Sequence, residues 1–289
     1  MTLSLSAALP AGPPRPPDGH KGTFGRVLII AGSRGMSGAA CLSGMAALRG
    51  GAGLVTVAVP ESILPIVASA EPSYLTLPLA EDSHGRIAAG CLEALQAACE
   101  RNTVVAFGPG CGVSEGLGVV VQELYRNTAR PMVIDADGLN LLARGPRPLP
   151  AAAASRILTP HPGEFARLSG RPLDVIQQER ETLTAEYARQ NGVVLLLKGP
   201  STSITDGQRV AINSTGNSGM GTGGTGDVLT GLIAALLAQG MPAFEAAQLG
   251  AHLHGLAGDL AAQELTQPAL IASDLIRFLP RAWAQFGAK

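Results

Sequence analysis

This chain as a whole carries almost no surplus of one charge. Its 21 Lys and Arg are met by 22 Asp and Glu, for a net charge of −1, and the two signs are interspersed. Neither nucleic acid nor an anionic membrane would find an electrostatic footprint, so small-molecule partners are expected. Long apolar runs are also missing. The longest, Val228 to Ala238, is too short to span a bilayer and includes Thr230 and Gly231. The first twenty residues hold a short Leu/Ala stretch and then Pro10-Ala-Gly-Pro-Pro-Arg-Pro-Pro17, without the basic start and continuous apolar segment of a secretion signal. Cys41, Cys91, Cys99 and Cys111 show no C-x-x-C spacing and suit the reduced, buried thiols of a cytoplasmic protein, although Cys111, in a glycine-rich turn, could be exposed. Neither a Ser/Gly linker nor an internal repeat divides the 289 residues. One domain over residues 20–289 is expected, preceded by a proline-rich arm over residues 1–19.

What is present is an α/β pattern built on 46% hydrophobic residues. Arg26–Ala31, Gly53–Val59, Thr103–Phe107, Pro131–Asp135, Arg156–Thr159 and Val193–Lys198 are continuous apolar runs rather than alternating ones, which predicts strands buried on both faces of a mostly parallel sheet. Segments 37–50, 90–100, 115–127 and 173–191 are long enough for crossover helices on both faces. Ser201–Thr205 and Arg209–Asn213 flank Asp206-Gly-Gln as a hairpin appended to the sheet, and helices over 225–240, 242–262 and 273–286 complete the chain.

The densest chemical signal is Asn217-Ser-Gly-Met-Gly-Thr-Gly-Gly-Thr-Gly-Asp227, running directly into an apolar helix. Bare backbone N–H groups at a helix N-terminus suit a phosphate. Asp227 would repel that anion, so it reads as a general base that meets the phosphate only in a reacting complex, rather than as an ordinary first-turn acid. Gly221-Thr-Gly-Gly-Thr-Gly226 matches G-x-G-x-x-G, but it lacks the strand before it and the strand after its helix that a dinucleotide fold requires. No G-x-x-x-x-G-K-[ST] occurs, which excludes a P-loop protein.

In an open parallel sheet, ligands gather beyond the carboxyl ends of the strands. Here those ends are Gly32-Ser-Arg-Gly-Met-Ser-Gly-Ala-Ala40, Gly108-Pro-Gly-Cys-Gly112, Asp135-Ala-Asp-Gly-Leu-Asn140, Thr159-Pro-His-Pro-Gly-Glu164 and Lys198-Gly199. Asp137 is expected to cap the short helix beginning at Gly138, and Asp135 either takes a structural hydrogen bond or faces a ligand. His161, held extended between two prolines with nothing apolar calling for an imidazole, is assigned to the site. Glu164 either sits in a first helical turn or orients water around a magnesium ion carrying nucleotide phosphates. Lys198 ends an apolar strand, so its ammonium should emerge at the ligand edge against a nucleotide. His252 and His254 project about 200° apart on a helix and cannot share a metal ion unaided. Met220 is assigned to packing, and Trp283 to pinning the last helix.

The ordered set of motifs resembles the ribokinase-like superfamily and, within it, the ADP- or ATP-dependent NAD(P)H-hydrate dehydratases. The matching segments are His20-Lys-Gly-Thr-Phe-Gly-Arg-Val-Leu-Ile-Ile-Ala-Gly-Ser33, Ser37-Gly-Ala39 with Ala47-Leu-Arg-Gly-Gly-Ala-Gly-Leu-Val55, Gly108-Pro-Gly110, Val133-Ile-Asp-Ala-Asp-Gly-Leu-Asn140, Leu158-Thr-Pro-His-Pro-Gly-Glu164 and Gly221 to Asp227. His161 stands where vitamin kinases of the same fold usually carry asparagine. The resemblance implies a three-layer sandwich and the return of hydrated NADH or NADPH to the working cofactor, with consumption of ADP, the favoured donor, or of ATP, and with Mg2+. It implies that Ala39, Gly110, His161 and Asp227 face the hydrated dinucleotide, that Lys198, Gly199, Pro200, Ser201, Thr202 and Gly226 hold the nucleotide, and that Gly223, Gly224, Thr225 and Gly226 form the anion hole. A homo-oligomer and a separate epimerase protein are further expectations. A kinase for a hydroxymethyl vitamin precursor would share Asp227 and the anion loop.

Overall fold

The computed structural model describes residues 4–287. The chain runs β1 (Ser4–Leu5), β2 (Arg26–Ile30), α1 (Ser37–Arg49), β3 (Leu54–Pro60), α2 (Leu64–Ala70), β4 (Leu75–Leu79), α3 (Leu92–Glu100), β5 (Val104–Phe107), α4 (Glu115–Asn127), β6 (Met132–Ile134) and α5 (Asp137–Leu142). It continues through β7 (Arg156–Leu158), α6 (Pro162–Ser169), α7 (Leu173–Gln178), α8 (Arg180–Asn191), β8 (Val194–Leu197), β9 (Ser203–Thr205), β10 (Arg209–Ile212), α9 (Thr225–Ala238), α10 (Ala243–Leu265) and α11 (Ala272–Gly287). The strands form one sheet in the order β1-β10-β9-β8-β7-β6-β5-β2-β3-β4. Every pairing is parallel except those of β9, which runs against both β8 and β10.

The continuous apolar runs are explained by the two cores. Val27 and Ile29 of β2, Val104 and Ala106 of β5, and Leu196 of β8 face a core shared with α1, α2, α9, α10 and α11. Leu28 and Ile30, Val105 and Phe107, and Leu195 and Leu197 face the opposite core, against α3 to α8. A strand covered on both sides has no polar face, so its sequence does not alternate.

Three features differ from the pattern read in the sequence. β4 and its preceding helix α2 raised no strand or helix signal. Leu75-Thr-Leu-Pro-Leu79 contains Pro78 and is largely uncovered at the sheet edge, where a missing N–H is tolerated. Segment 173–191 is not one helix: the chain leaves helical geometry at Glu179 (φ −117°, ψ 35°), separating α7 from α8. Ser4–Leu5 of the proline-rich arm pairs in parallel with β10, and Gln248 of α10 donates to the Ala8 carbonyl at 3.0 Å. Cys41, Cys91, Cys99 and Cys111 are all free and buried, as expected, with Cys111 fully so despite its glycine-rich turn. Trp283 donates to the Arg49 carbonyl at 3.2 Å, fastening α11 to the end of α1.

The helix that positions the glycine loop is buried along its length, with Val228 to Ala238 all inside. Such a helix packs on every side. Its crossing with α1 is close enough that a Cβ on Gly231 would lie 2.0 Å from the Ser43 carbonyl oxygen. Ser43 Oγ donates to the Asp227 carbonyl at 3.1 Å, tying the first turn of α9 to α1. Gly231→Ala should therefore force the helices apart and cost about 1–3 kcal/mol in urea denaturation. Gly38→Ala, where the added methyl meets open space, should leave stability unchanged or raise it slightly.

Candidate active site

The strand order reverses between β2 and β5, the place in an open α/β sheet where a crevice forms beyond the strand ends. Two turns meet there. Gly32 N–H donates to the Pro109 carbonyl at 2.8 Å, and Ser33 Oγ donates to the Gly110 carbonyl at 2.7 Å. Gly110 has φ +62°, and a Cβ on it would lie 2.8 Å from the Ala39 methyl. Ala39 and Gly110 thus share one wall, with glycine required both by the backbone and by the close approach.

Beyond β6, Ala136 takes φ +51° and ψ −119°, a conformation that costs on the order of 1–3 kcal/mol. The twist sends its two neighbours in different directions. Asp137 is not the helix cap expected from the sequence: Ala136 occupies the cap position of α5, and the Asp137 carboxylate accepts from Gly112 N–H at 2.8 Å, holding the Gly110 turn. Asp135 accepts from Lys198 Nζ at 2.7 Å and from Thr230 Oγ1 at 2.9 Å. The open question over Asp135 resolves to a buried carboxylate bridging β6, β8 and α9.

His161 and Glu164 make a reciprocal cap at the start of α6. His161 Nδ1 accepts from Gly163 N–H at 3.0 Å, while Glu164 Oε2 accepts from His161 N–H at 2.8 Å. The imidazole therefore has a structural role that the sequence reading did not consider, while half of the side chain remains exposed beside the site. An accepting Nδ1 leaves the proton of the neutral ring on Nε2, 3.4 Å from Glu164 Oε1. Glu164 is buried and lies 3.8 Å from Lys198 Nζ; burial pushes its pKa up, against the pull of the lysine. Burial alone would depress the Lys198 pKa, but the carboxylates of Asp135 and Glu164 hold it above the usual lysine value. Lys198 does reach the strand-end edge, but as a paired cation.

Asp227 lies in the first turn of α9. Gly224 at φ +94° starts the helix, and Thr225 Oγ1 donates to the Met220 and Thr222 carbonyls, both at 3.1 Å, closing the loop on itself. Among the described residues, no backbone carbonyl takes the N–H groups of Gly223, Gly224, Thr225 or Gly226, and the Asp227 carboxylate accepts no hydrogen bond. Burial, reinforced by the charge of Asp135 and opposed by Lys198, pushes the Asp227 pKa up to about 7. A carboxylate poised near neutrality beside unpaired amides can take a proton from an attacking hydroxyl while those amides receive charge.

On the other side of the α9 N-terminus is a cleft of about 660 Å³. Lys198, Gly199, Pro200, Ser201, Thr202 and Gly226, assigned together from the sequence, all line it. The facing wall, Asn213 to Ser218 with Met220 and His254, was not assigned as a nucleotide wall: Asn217 and Ser218 were read as the start of the glycine loop, Met220 as packing, and His254 as unable to share a metal ion with His252. Tertiary contacts shape that wall: Thr215 Oγ1 donates to the His252 carbonyl at 2.9 Å, and Asn217 Nδ2 to Asp259 Oδ1 at 2.9 Å. Glycine and small polar residues facing a Gly-x-x-Gly pattern on α10, Gly255 and Gly258, were the available signal. A Cβ on Gly258 would meet Met220 Sδ at 2.3 Å, in keeping with the packing role given to Met220.

Comparison with known proteins adds the following. A family model described as NAD(P)H-hydrate dehydratase matches residues 27–281. The chain is 47% identical over 270 residues to a bifunctional NAD(P)H-hydrate repair enzyme of Moorella thermoacetica, covering 93% of this chain and 51% of that protein. It is 36% identical over 268 residues to the ADP-dependent (S)-NAD(P)H-hydrate dehydratase of Neisseria meningitidis, covering 91% of this chain and 84% of that one. The chain spans about half the length of the bifunctional relatives it matches. Among solved structures, the ADP/ATP-dependent NAD(P)H-hydrate dehydratase of Bacillus subtilis, co-crystallised with ATP and Mg2+, is similar with a TM-score of 0.82 and 31% identity, over 95% of this chain and 94% of that one.

The raised Asp227 pKa has a consequence for stability. An unfolded Asp ionises near its usual value of 3.8, whereas the folded group ionises near 7. Between those values the folded state holds the extra proton, so stability falls as pH rises through this window and is lowest above it. Asp227→Asn should be more stable than the parent at pH 8, by on the order of 2 kcal/mol after allowance for solvent screening, with the difference shrinking as pH falls toward 4. Urea denaturation at several pH values checks this, and a constant difference would show an ordinary Asp227 pKa.

Proposed function

The chain belongs to the NAD(P)H-hydrate dehydratase family, and on that premise we propose that it returns hydrated NADH or NADPH to the reduced cofactor by an ADP- or ATP-dependent dehydration. The observation that carries the reading is Asp227, with its pKa pushed up to about 7 beside the unpaired N–H groups that open α9. Hydroxide leaves poorly and a phosphate ester leaves well. In this reading Asp227 takes the proton of the ring hydroxyl as that oxygen attacks the terminal phosphorus of the nucleotide, whose bridging P–O bond breaks. Gly223, Gly224, Thr225 and Gly226 stabilise the charge developing on the transferred group. The ring nitrogen lone pair then expels phosphate, and loss of the neighbouring C–H proton restores the double bond. With ADP as donor, hydrate and ADP give the reduced cofactor, AMP and phosphate.

Ala39, Gly110 and His161 are the proposed contacts of the hydrated dinucleotide. Lys198 to Thr202 and Gly226 are those of the nucleotide. ADP is the favoured donor by similarity to the Neisseria relative, whose name specifies it. Mg2+ fits the residues present. Among the described residues no three His, Cys, Asp or Glu form a protein cage, but Glu164 and Asp135 add buried negative charge beside a single lysine. That suits an ion held chiefly by phosphates and water, with Glu164 orienting a water; when bound it would offset phosphate charge. The proposed companion activity is an NAD(P)H-hydrate epimerase, on a separate chain or joined as part of a longer one.

Recovery of reduced-nicotinamide absorbance from hydrated NADH, with Mg2+ and either ADP, ATP or neither, tests the reading. Recovery should require one nucleotide, and Asp227→Ala should lower it by about 10³-fold or more with nucleotide binding retained. Normal turnover in that variant would sink the mechanism. Absence of recovery with either nucleotide in folded protein would redirect the assignment to phosphorylation of a hydroxymethyl substrate. His161→Ala should raise the KM for the hydrated dinucleotide by about tenfold, corresponding to about 1.4 kcal/mol, and change that for ADP much less. Equal rises for both ligands would remove His161 from the dinucleotide site.

A further inference from the structure

We infer that His254 is a positioning residue for the proposed anion hole, acting through the peptide group that joins Thr225 to Gly226. His254 projects from α10 toward the start of α9, where its Nε2 lies 2.9 Å from the Thr225 carbonyl oxygen. A carbonyl oxygen only accepts, so Nε2 carries the proton and Nδ1 does not. The Thr225 carbonyl and the Gly226 N–H belong to one planar trans peptide and point in opposite directions. Fixing the carbonyl from behind therefore fixes the direction of the Gly226 N–H, and Gly226 lines the cleft.

The surrounding packing makes this a clamp rather than a casual contact. Thr225 is held by its hydroxyl to the Met220 and Thr222 carbonyls and by its carbonyl to His254. α10 can approach because it offers glycine on the adjoining face: a Cβ on Gly255 would lie 2.3 Å from Thr215 Oγ1. Donation to the carbonyl also polarises the peptide, making its N–H a stronger donor when charge gathers on a phosphoryl oxygen. Burial pushes the His254 pKa down to about 4, with nearby Lys198 acting in the same direction. The ring is then neutral at physiological pH and remains a fixed donor to the carbonyl instead of a mobile cation drawn to phosphate.

The catalytic consequence rests on the dehydratase reading; the peptide geometry does not. The test compares wild type, His254→Gln, which keeps a donor at similar reach, and His254→Phe and His254→Leu, which remove it. The first readout is the amide resonance of Gly226 in protein labelled with ¹⁵N, alone and titrated with ADP. Loss of the donor should move that resonance upfield in the Phe and Leu variants and leave it near the wild-type position in Gln. The second readout is the dehydration assay, in which Phe and Leu should lower kcat about tenfold while the KM for ADP changes by less than about threefold, and Gln should recover most of kcat. An unmoved Gly226 amide in the Phe and Leu variants overturns the inference whatever the activity. Equal kcat losses in Gln, Phe and Leu overturn the positioning role. Wild type that dehydrates with neither nucleotide would defeat the activity reading, while the amide measurement would still decide whether His254 sets Gly226.

Discussion

The site depends on one ion pair, between the half-buried Lys198 and the fully buried Asp135. Lys198 at the end of β8 and Asp135 at the end of β6 meet at 2.7 Å, and Thr230 from the second turn of α9 occupies the other Asp135 oxygen. Three elements from distant parts of the sequence are thereby set at one height above the sheet. Buried ion pairs recover the cost of leaving water only when their remaining hydrogen-bonding capacity is filled, and here the threonine fills the carboxylate while Glu164 supplies the lysine with a second, more distant anion. The same pair modulates the protonation of Asp227, whose pKa is raised mainly by burial. Asp135 pushes the Asp227 pKa up and Lys198 pulls it down, and the balance, with burial, lies near neutrality. Structural and chemical roles cannot be separated in this pair.

Strain and unfavourable charge accompany that arrangement. Ala136 carries a positive φ between two aspartates, and Asp227 lies where its ionisation opposes folding. The compensation is in the ordinary physics around the site: two cores cover both sheet faces, and a helix buried along most of its length runs from the glycine loop. Local expense at a candidate site, borne by a well-packed frame, is the usual pattern in stable enzymes.

The mostly parallel sheet with helices on both faces was legible because both-face burial leaves a run of Val, Ile and Leu in each central strand, while its ribokinase-like character was implied by the ordered motifs. Edge strand β4, with its proline and uncovered side chains, leaves no such trace. The strand ends were legible for the same reason as the strands, which brought Lys198 and Gly199 forward; Pro200 to Thr202 and Gly226 were added by the family resemblance, and all six line one cleft. Asp137 was misread because local sequence suggests a cap, whereas its true partner, Gly112, belongs to another loop. His161 was credited with a site role alone because a histidine-glutamate capping box is rarer than one built on serine or threonine. His254 could not be read at all, since its partner lies 29 residues away on another helix. Sequence periodicity reports burial well and reports which buried polar groups meet poorly.

The reversal of β9 divides the molecule's chemistry along the chain. Because β9 turns back beside β8, Gly199 to Thr202 form a short hairpin connection rather than the mouth of another crossover helix. Everything lining the large cleft then comes from residues 198–255, whereas the Ala39–Gly110 wall is built from residues 32–112. The start of α9, with Thr225 and Gly226, lines the cleft. Under the proposed function, this division would let substitutions in the first stretch alter the accepting molecule while the second stretch keeps its donor.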